Sequence, residues 1–152
     1  MHKIMFVCYG NICRSTMAEF LMKDLVKKKG KEKEFLIKSS GTSYEEHGHP
    51  VHRGTRAVLN RLGITGYEDK RAEKLLKQDY FDYDLFIGMD KNNYRDMLYI
   101  FGKDPDSKVK LLMDYTPNPR SVADPYWTGD FESTYRDVSE GVLALFNTLN
   151  AD

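Results

Sequence analysis

Lys3-Ile4-Met5-Phe6-Val7-Cys8-Tyr9-Gly10-Asn11-Ile12-Cys13-Arg14-Ser15 is the stretch on which the fold turns. Its first half, Lys3 to Cys8, carries a continuous apolar run rather than the alternation of a half-solvated strand. It reads as a parallel strand buried on both faces. From about Arg14 to Lys29, apolar residues at Met17, Leu21 and Leu25, with Ala18, Met22 and Val26 beside them, follow helical spacing. Lys27-Lys28-Lys29 suits the negative end of the helix dipole, and Gly30 stops the helix. A buried strand, a tight turn and a helix are the opening of an α/β unit.

Working outward, the alternation repeats. Phe35-Leu36-Ile37 reads as a second strand ended by Ser39-Ser40-Gly41. A helix is expected near Val51–Leu62, a connector over 64–69 and a weaker helix over Ala72–Gln78. Leu85-Phe86-Ile87 is a third strand, followed by Asp90 as the N-cap of a helix over Lys91–Ile100, and Lys110–Met113 is a fourth. Asp114–Gly129, rich in Pro and Asp, is long for a loop and so a candidate functional segment. Phe131, Tyr135, Val138, Val142, Leu145 and Leu149 mark a long last helix. The pattern predicts an α/β fold: a single doubly wound domain over residues 1–152, with a four-stranded parallel sheet flanked by helices on both faces. In such sheets ligands bind beyond the carboxyl ends of the strands, which gathers the Cys8–Ser15 turn, the segment after Ile37 and Asp114–Gly129 on one face.

Composition narrows the classes. The 152 residues, 41% apolar and 12% aromatic, suffice for one sizeable core and argue against disorder. Lys and Arg number 23, as do Asp and Glu, so no global field draws the chain to nucleic acid or an anionic membrane. The longest apolar stretch falls far short of the ~20 residues of a membrane span, and it lacks a signal peptide's cleavage site. A cytoplasmic protein is expected. Two cysteines, Cys8 and Cys13, are too few for a disulfide framework, and no clustered His offers zinc geometry.

A short turn between a buried strand and a helix aims successive backbone N–H groups at one point, and the helix N-terminus adds partial positive charge, so the turn favours a dianion such as phosphate. Gly10-Asn11 supplies the two residue types that best tolerate left-handed angles. Arg14 adds a planar fork able to hold two phosphate oxygens. Cys8 at the turn's entrance faces the same donors, which stabilise a thiolate. A buried Cys ending an apolar strand is more often a small hydrophobe. Cys13 reads as a packed neighbour or as a redox partner able to capture a sulfenic acid at Cys8. Neither a Walker loop nor a Rossmann G-x-G-x-x-G is present.

C-x-G-N-I-C-R-S after an N-terminal strand, with Asp124-Pro125-Tyr126 far downstream, resembles the low-molecular-weight protein tyrosine phosphatase family. Met17-Ala18-Glu19, Ser39-Ser40-Gly41-Thr42 and Met89-Asp90 extend the likeness over essentially the whole chain. The resemblance implies Cys8 as nucleophile through a phosphocysteine, Arg14 and the loop residues Tyr9, Gly10, Asn11, Ile12 and Cys13 as the oxyanion cradle, and Asp124 as general acid and then base. It also implies Tyr126 and Trp127 as an apolar wall for a phenyl ring, and Asn11, Ser15 and Ser39 as loop supports. The expected substrate is a phosphotyrosine-containing protein, the product is inorganic phosphate, no metal or organic cofactor is required, and a monomer is expected. Three departures stand out: Thr16 in place of the frequent Pro, Tyr44-Glu45-Glu46-His47 where many members have Trp, and Asp69-Lys70 in place of Asp-His. Lys70 is expected to pair with Glu19 in place of that His. Two other functions compete. Thioredoxin-coupled arsenate reduction requires two further cysteines, which this chain lacks after Cys13; a silent phosphotyrosine-docking module needs the cradle but not Asp124.

Overall fold

A computed structural model describes residues 1–151. The first strand, β1 (His2–Cys8), leads through the turn into α1 (Arg14–Lys28), then β2 (Phe35–Gly41), α2 (Arg53–Arg61), β3 (Leu85–Gly88), α3 (Lys91–Phe101), β4 (Val109–Leu111), a short α4 (Pro125–Thr128) and α5 (Phe131–Leu149). The four strands pair in parallel in the order β2-β1-β3-β4. The chain therefore leaves β1 in one direction for β2 and returns on its other side as β3, and the crevice opened by that reversal lies beyond Cys8 and Gly88.

The unbroken apolar run of β1 is explained by what lies on each face. Ile4 and Phe6 point into the main core, built with Met17, Met22 and Val26 of α1 and Val138, Val142, Leu145 and Phe146 of α5. Met5 and Val7 point the other way, against Phe86, Met97, Phe101 and Leu75. Strand residues alternate faces, and because helices cover both, every position must be apolar. Phe6 is completely buried, and truncating it to Ala is expected to cost roughly 3–5 kcal/mol. No helix among the described residues is long and apolar enough to cross a membrane.

Four local expectations are corrected. Ser39, Ser40 and Gly41 do not end the second strand but continue it in register with Phe6, Val7 and Cys8. The expected helix over Ala72–Gln78 is extended chain: Leu75 N–H donates to Gly41 O (2.8 Å), Gly41 N–H to Glu73 O (2.7 Å) and Ala72 N–H to His49 O (2.8 Å). These tertiary partners outbid helix propensity over so short a run, and only Lys77–Phe81 winds into a 3₁₀ turn. The fourth strand lies over Val109–Leu111, with Leu112 and Met113 already in a 3₁₀ turn. The long loop Asp114–Gly129 contains α4, capped by Asp124 and opened by Pro125.

Candidate active site

The site begins where β1 stops. Gly41, beside Cys8 in the sheet, lets β2 press against the turn: a Cβ there would stand 2.7 Å from Tyr9 O. Of the Gly10-Asn11 pair, only Asn11 takes the left-handed conformation, at φ 60°. That angle turns its backbone N–H toward Cys8 Sγ (3.3 Å) while the side chain ties the turn to three surrounding segments. Asn11 Nδ2 donates to Ser15 Oγ (2.8 Å) and to Ser39 Oγ (2.9 Å), and Oδ1 accepts from Glu73 N–H (3.0 Å). Ser15 Oγ also lies 3.0 Å from Cys8 Sγ, where its hydroxyl can donate to a thiolate.

An ionic chain continues behind Ser39, from buried Glu19 out to the partly exposed Lys23. Ser39 Oγ donates to Glu19 Oε1 (2.5 Å), and Glu19 Oε2 accepts from Lys23 Nζ (2.6 Å). Lys70 Nζ donates to Ser39 O at 2.7 Å and stands 3.7 Å from Glu19 Oε1. The Lys70–Glu19 pair is thus present, but Lys70's shorter bond is to a backbone carbonyl and Glu19's shorter cation is Lys23, one helical turn on. Burial pushes the Lys70 ammonium below its ordinary range, with Glu19 and Glu73 opposing that shift.

Arg14 is 2% exposed. Its Nη1 donates to Asp90 Oδ2 (2.7 Å) and Val122 O (2.8 Å), and Nη2 lies 3.5 Å from Asp124 Oδ2. Nε is buried with no hydrogen-bond partner. Burial works against the charge, but Cys8 and the Asp90 hydrogen bond outweigh it and hold the guanidinium above its ordinary value. Asp90 serves two elements: Oδ1 caps α3 through Asn93 N–H (2.8 Å) while Oδ2 fixes Arg14. Asp124 Oδ1 accepts from Tyr126 N–H (3.0 Å).

Cys8, Tyr9, Gly10, Ile12, Cys13, Arg14, Asp124, Tyr126 and Trp127 line one cleft, together with Glu45 and Glu46. Asn11, Ser15, Ser39, Glu19 and Lys70 stand behind it. Cys13 packs with Ile12, Ala72 and Phe131, and its burial, with Cys8 and Asp124 near, pushes the thiol far up; this environment favours the packed reading. Sequence reasoning missed the clamp on Arg14. Asp90 was signalled only as the N-cap after the third strand, and Val122 O and Lys23 carried no signal.

The family and fold of the chain follow from its likeness to known proteins. Residues 3–152 match the family model described as low molecular weight phosphotyrosine protein phosphatase. The chain is 36% identical to the low molecular weight protein-tyrosine-phosphatase YfkJ of Bacillus subtilis, over 100% of this chain and 98% of that one. The YfkJ crystal structure superposes with a TM-score of 0.94, covering 99% of this chain and 96% of the other. The SP-PTP low molecular weight protein tyrosine phosphatase of Streptococcus pyogenes gives 37% identity and a TM-score of 0.88 over 98% and 93%.

Proposed function

The chain belongs to the low molecular weight phosphotyrosine protein phosphatase family, and on that premise we propose how its residues divide the hydrolysis of a phosphotyrosine. The enzyme is a cysteine-dependent protein-tyrosine-phosphatase of the low molecular weight type, and its substrates are phosphoproteins. Cys8 Sγ attacks phosphorus, the bond from phosphorus to the tyrosine oxygen breaks, and Asp124 in its acid form gives its proton to the departing phenolate. Water then attacks the phosphocysteine, Asp124 as carboxylate takes the water's proton, and the P–S bond breaks to return the Cys8 thiolate and release inorganic phosphate. Arg14 and the N–H groups of the Tyr9–Cys13 turn hold the charge on the equatorial oxygens. Removing one such preorganised donor costs about 10²–10³ in rate. Tyr126 and Trp127 flank the ring, so that the ester oxygen of an aryl phosphate reaches Asp124. Asn11, Ser15, Ser39, Glu19 and Lys70 hold the turn in shape.

The observation that carries this reading is that the Cys8 sulfur, within hydrogen-bond distance of Asn11 N–H and Ser15 Oγ, lines one cleft with Asp124 and Arg14, whose Nε is buried without a partner. Hydrolysis of p-nitrophenyl phosphate tests it. Wild type is expected to turn over and to yield a phosphorylated cysteine on acid quench, whereas Cys8→Ser is expected to bind vanadate yet not turn over. Substantial phosphatase activity in Cys8→Ser would overturn the covalent route. We further propose that the enzyme works as a monomer in the reducing cytoplasm, where both cysteines stay reduced.

A further inference from the structure

The cleft has two unlike lips. One is the aromatic pair Tyr126 and Trp127; Glu45 and Glu46 line the same space. Arg14 is the one Lys or Arg in the lining, and it is buried and already engaged by Asp90 and Asp124. A bound phosphate takes up the turn's N–H groups and Arg14, leaving the carboxylates to meet the residues that flank the phosphorylated side chain. Both are anchored. Glu45 N–H donates to Ser43 Oγ (3.0 Å), and its carboxylate accepts from the Tyr9 hydroxyl (3.0 Å), which ties the lip to the phosphate turn itself. The stem of Glu46 lies over Gly10, close enough that a Cβ on Gly10 would stand 3.3 Å from Glu46 Cγ, and its Oε2 is 2.6 Å from His49 Nδ1. Among the described residues no group of three His, Cys, Asp or Glu is placed to hold a metal. The acidic pair is a rim for a ligand's own cation.

We propose that Glu45 and Glu46 make this mouth select phosphotyrosines flanked in the peptide by lysine or arginine over those flanked by aspartate or glutamate. The inference rests on the phosphatase reading and names the substrate class for the same cleft. Two charges of opposite sign steer approach and like charges oppose it, and at a solvated rim both effects are modest and fall with salt. Because Glu45 is exposed and Glu46 only half-buried, the preference in kcat/KM is expected at roughly three- to tenfold at low ionic strength.

The test uses the full chain and two phosphotyrosine peptides identical except for Lys or Glu on both sides of the tyrosine, with p-nitrophenyl phosphate as a substrate without flanks. Wild type is expected to prefer the Lys peptide, the preference shrinking at 0.5 M salt. In Glu45→Gln/Glu46→Gln the ratio of the two peptides is expected to fall toward one. Equal use of the peptides by wild type, a preference for the Glu peptide, or a preference unchanged by salt or by the double substitution would each overturn the inference while leaving the phosphatase reading intact. Failure of wild type on p-nitrophenyl phosphate would remove the phosphatase reading and the inference with it.

Discussion

The two sides of the cleft are built on opposite principles. On the phosphate side, Asn11, Arg14, Ser15, Glu19 and Ser39 are all buried, and each is hydrogen-bonded to another of them, to a neighbouring side chain or to the backbone of another segment, with Arg14 Nε left without a partner. On the leaving-group side, Trp127 is 81% exposed and Tyr126 54%, and Asp124 is held by one backbone N–H and a loose 3.5 Å contact to Arg14. On the proposed mechanism, the difference follows from the chemistry each side would serve. A dianion is small and of fixed shape, so donors that need no reorganisation stabilise it best. A phosphorylated peptide is large and variable, and the side that admits it must leave its ring wall open.

The largest effects are expected from breaking the rigid side. Arg14→Lys keeps the charge but loses the fork that reaches Asp90, Val122 O and the cleft together, and should lower kcat about 10²–10³-fold in steady-state assays. Asp90→Asn is the sharper probe, because it can still cap α3 while losing the ion pair to Arg14. A drop of roughly tenfold or more in kcat, with little change in melting temperature, would separate positioning of Arg14 from simple loss of fold. An unchanged kcat would show that Val122 O alone orients the guanidinium.

Asp124→Ala tests the open side. Its cost should depend on the leaving group: about 10²-fold or more for phenols of high pKa, which need the proton, and far less for p-nitrophenol. Equal losses across a leaving-group series would contradict the acid role and leave Asp124 as a cap for α4.

The contrast between the sides also explains what could be read from sequence. The β1–turn–α1 unit was legible because its signals are local: an apolar run, a compact polar turn and helical spacing follow within 30 residues. Asp124-Pro125-Tyr126 was not legible as structure, since a four-residue helix inside a Pro- and Asp-rich stretch has no periodicity to show. Ala72–Gln78 misled because its few apolar residues fit helical spacing, while its backbone is claimed by Gly41 and His49, more than 20 residues away. Asp90 was legible as an N-cap, a local role. Its grip on Arg14 spans 76 residues of sequence and is set by β3 lying next to β1.

A smaller effect is expected in the ionic chain behind the turn. Lys70→Met and Glu19→Gln should each weaken phosphate binding, and the double variant should lose less than the sum, with a coupling of about 0.5–1.5 kcal/mol. The 3.7 Å separation and the competing Lys23 place this below a close buried pair. Adding Lys23→Met to the cycle should raise the Lys70–Glu19 coupling, because Glu19 would then rely on Lys70 alone. Strict additivity would mean that Lys70 acts only through Ser39 O.

The smallest effect concerns an aromatic tie between the two sides. His52 donates its backbone N–H to Ile12 O of the phosphate turn (2.9 Å), and its ring stacks on Phe131 (5.1 Å between centroids) and meets Tyr126 edge-on (6.2 Å). Gly54 makes room for Phe131, whose ring a Cβ there would approach to 2.4 Å. His52 Nδ1 also caps α2 by accepting Gly54 N–H at 3.0 Å, which only the neutral ring can do. Burial, then Arg53 and Arg56, lower its pKa, with Glu46 opposing. The folded value therefore lies below the unfolded value of about 6.5, so between the two the unfolded chain binds more protons. The stability contributed by the neutral ring is present above about pH 6.5 and is lost as pH falls through the folded pKa. Trp127, the chain's single tryptophan, abuts Tyr126 (5.3 Å) and reports on the wall by fluorescence. Wild type is expected to show an acid transition in Trp127 emission and a fall in melting temperature that His52→Asn, a cap that does not titrate, lacks. Losing the cap should cost about 0.5–2 kcal/mol. His52→Phe keeps the ring without the cap, so it should preserve the emission at neutral pH while lowering stability. An acid transition that persists in His52→Asn would assign the titration elsewhere and leave the wall independent of the phosphate turn.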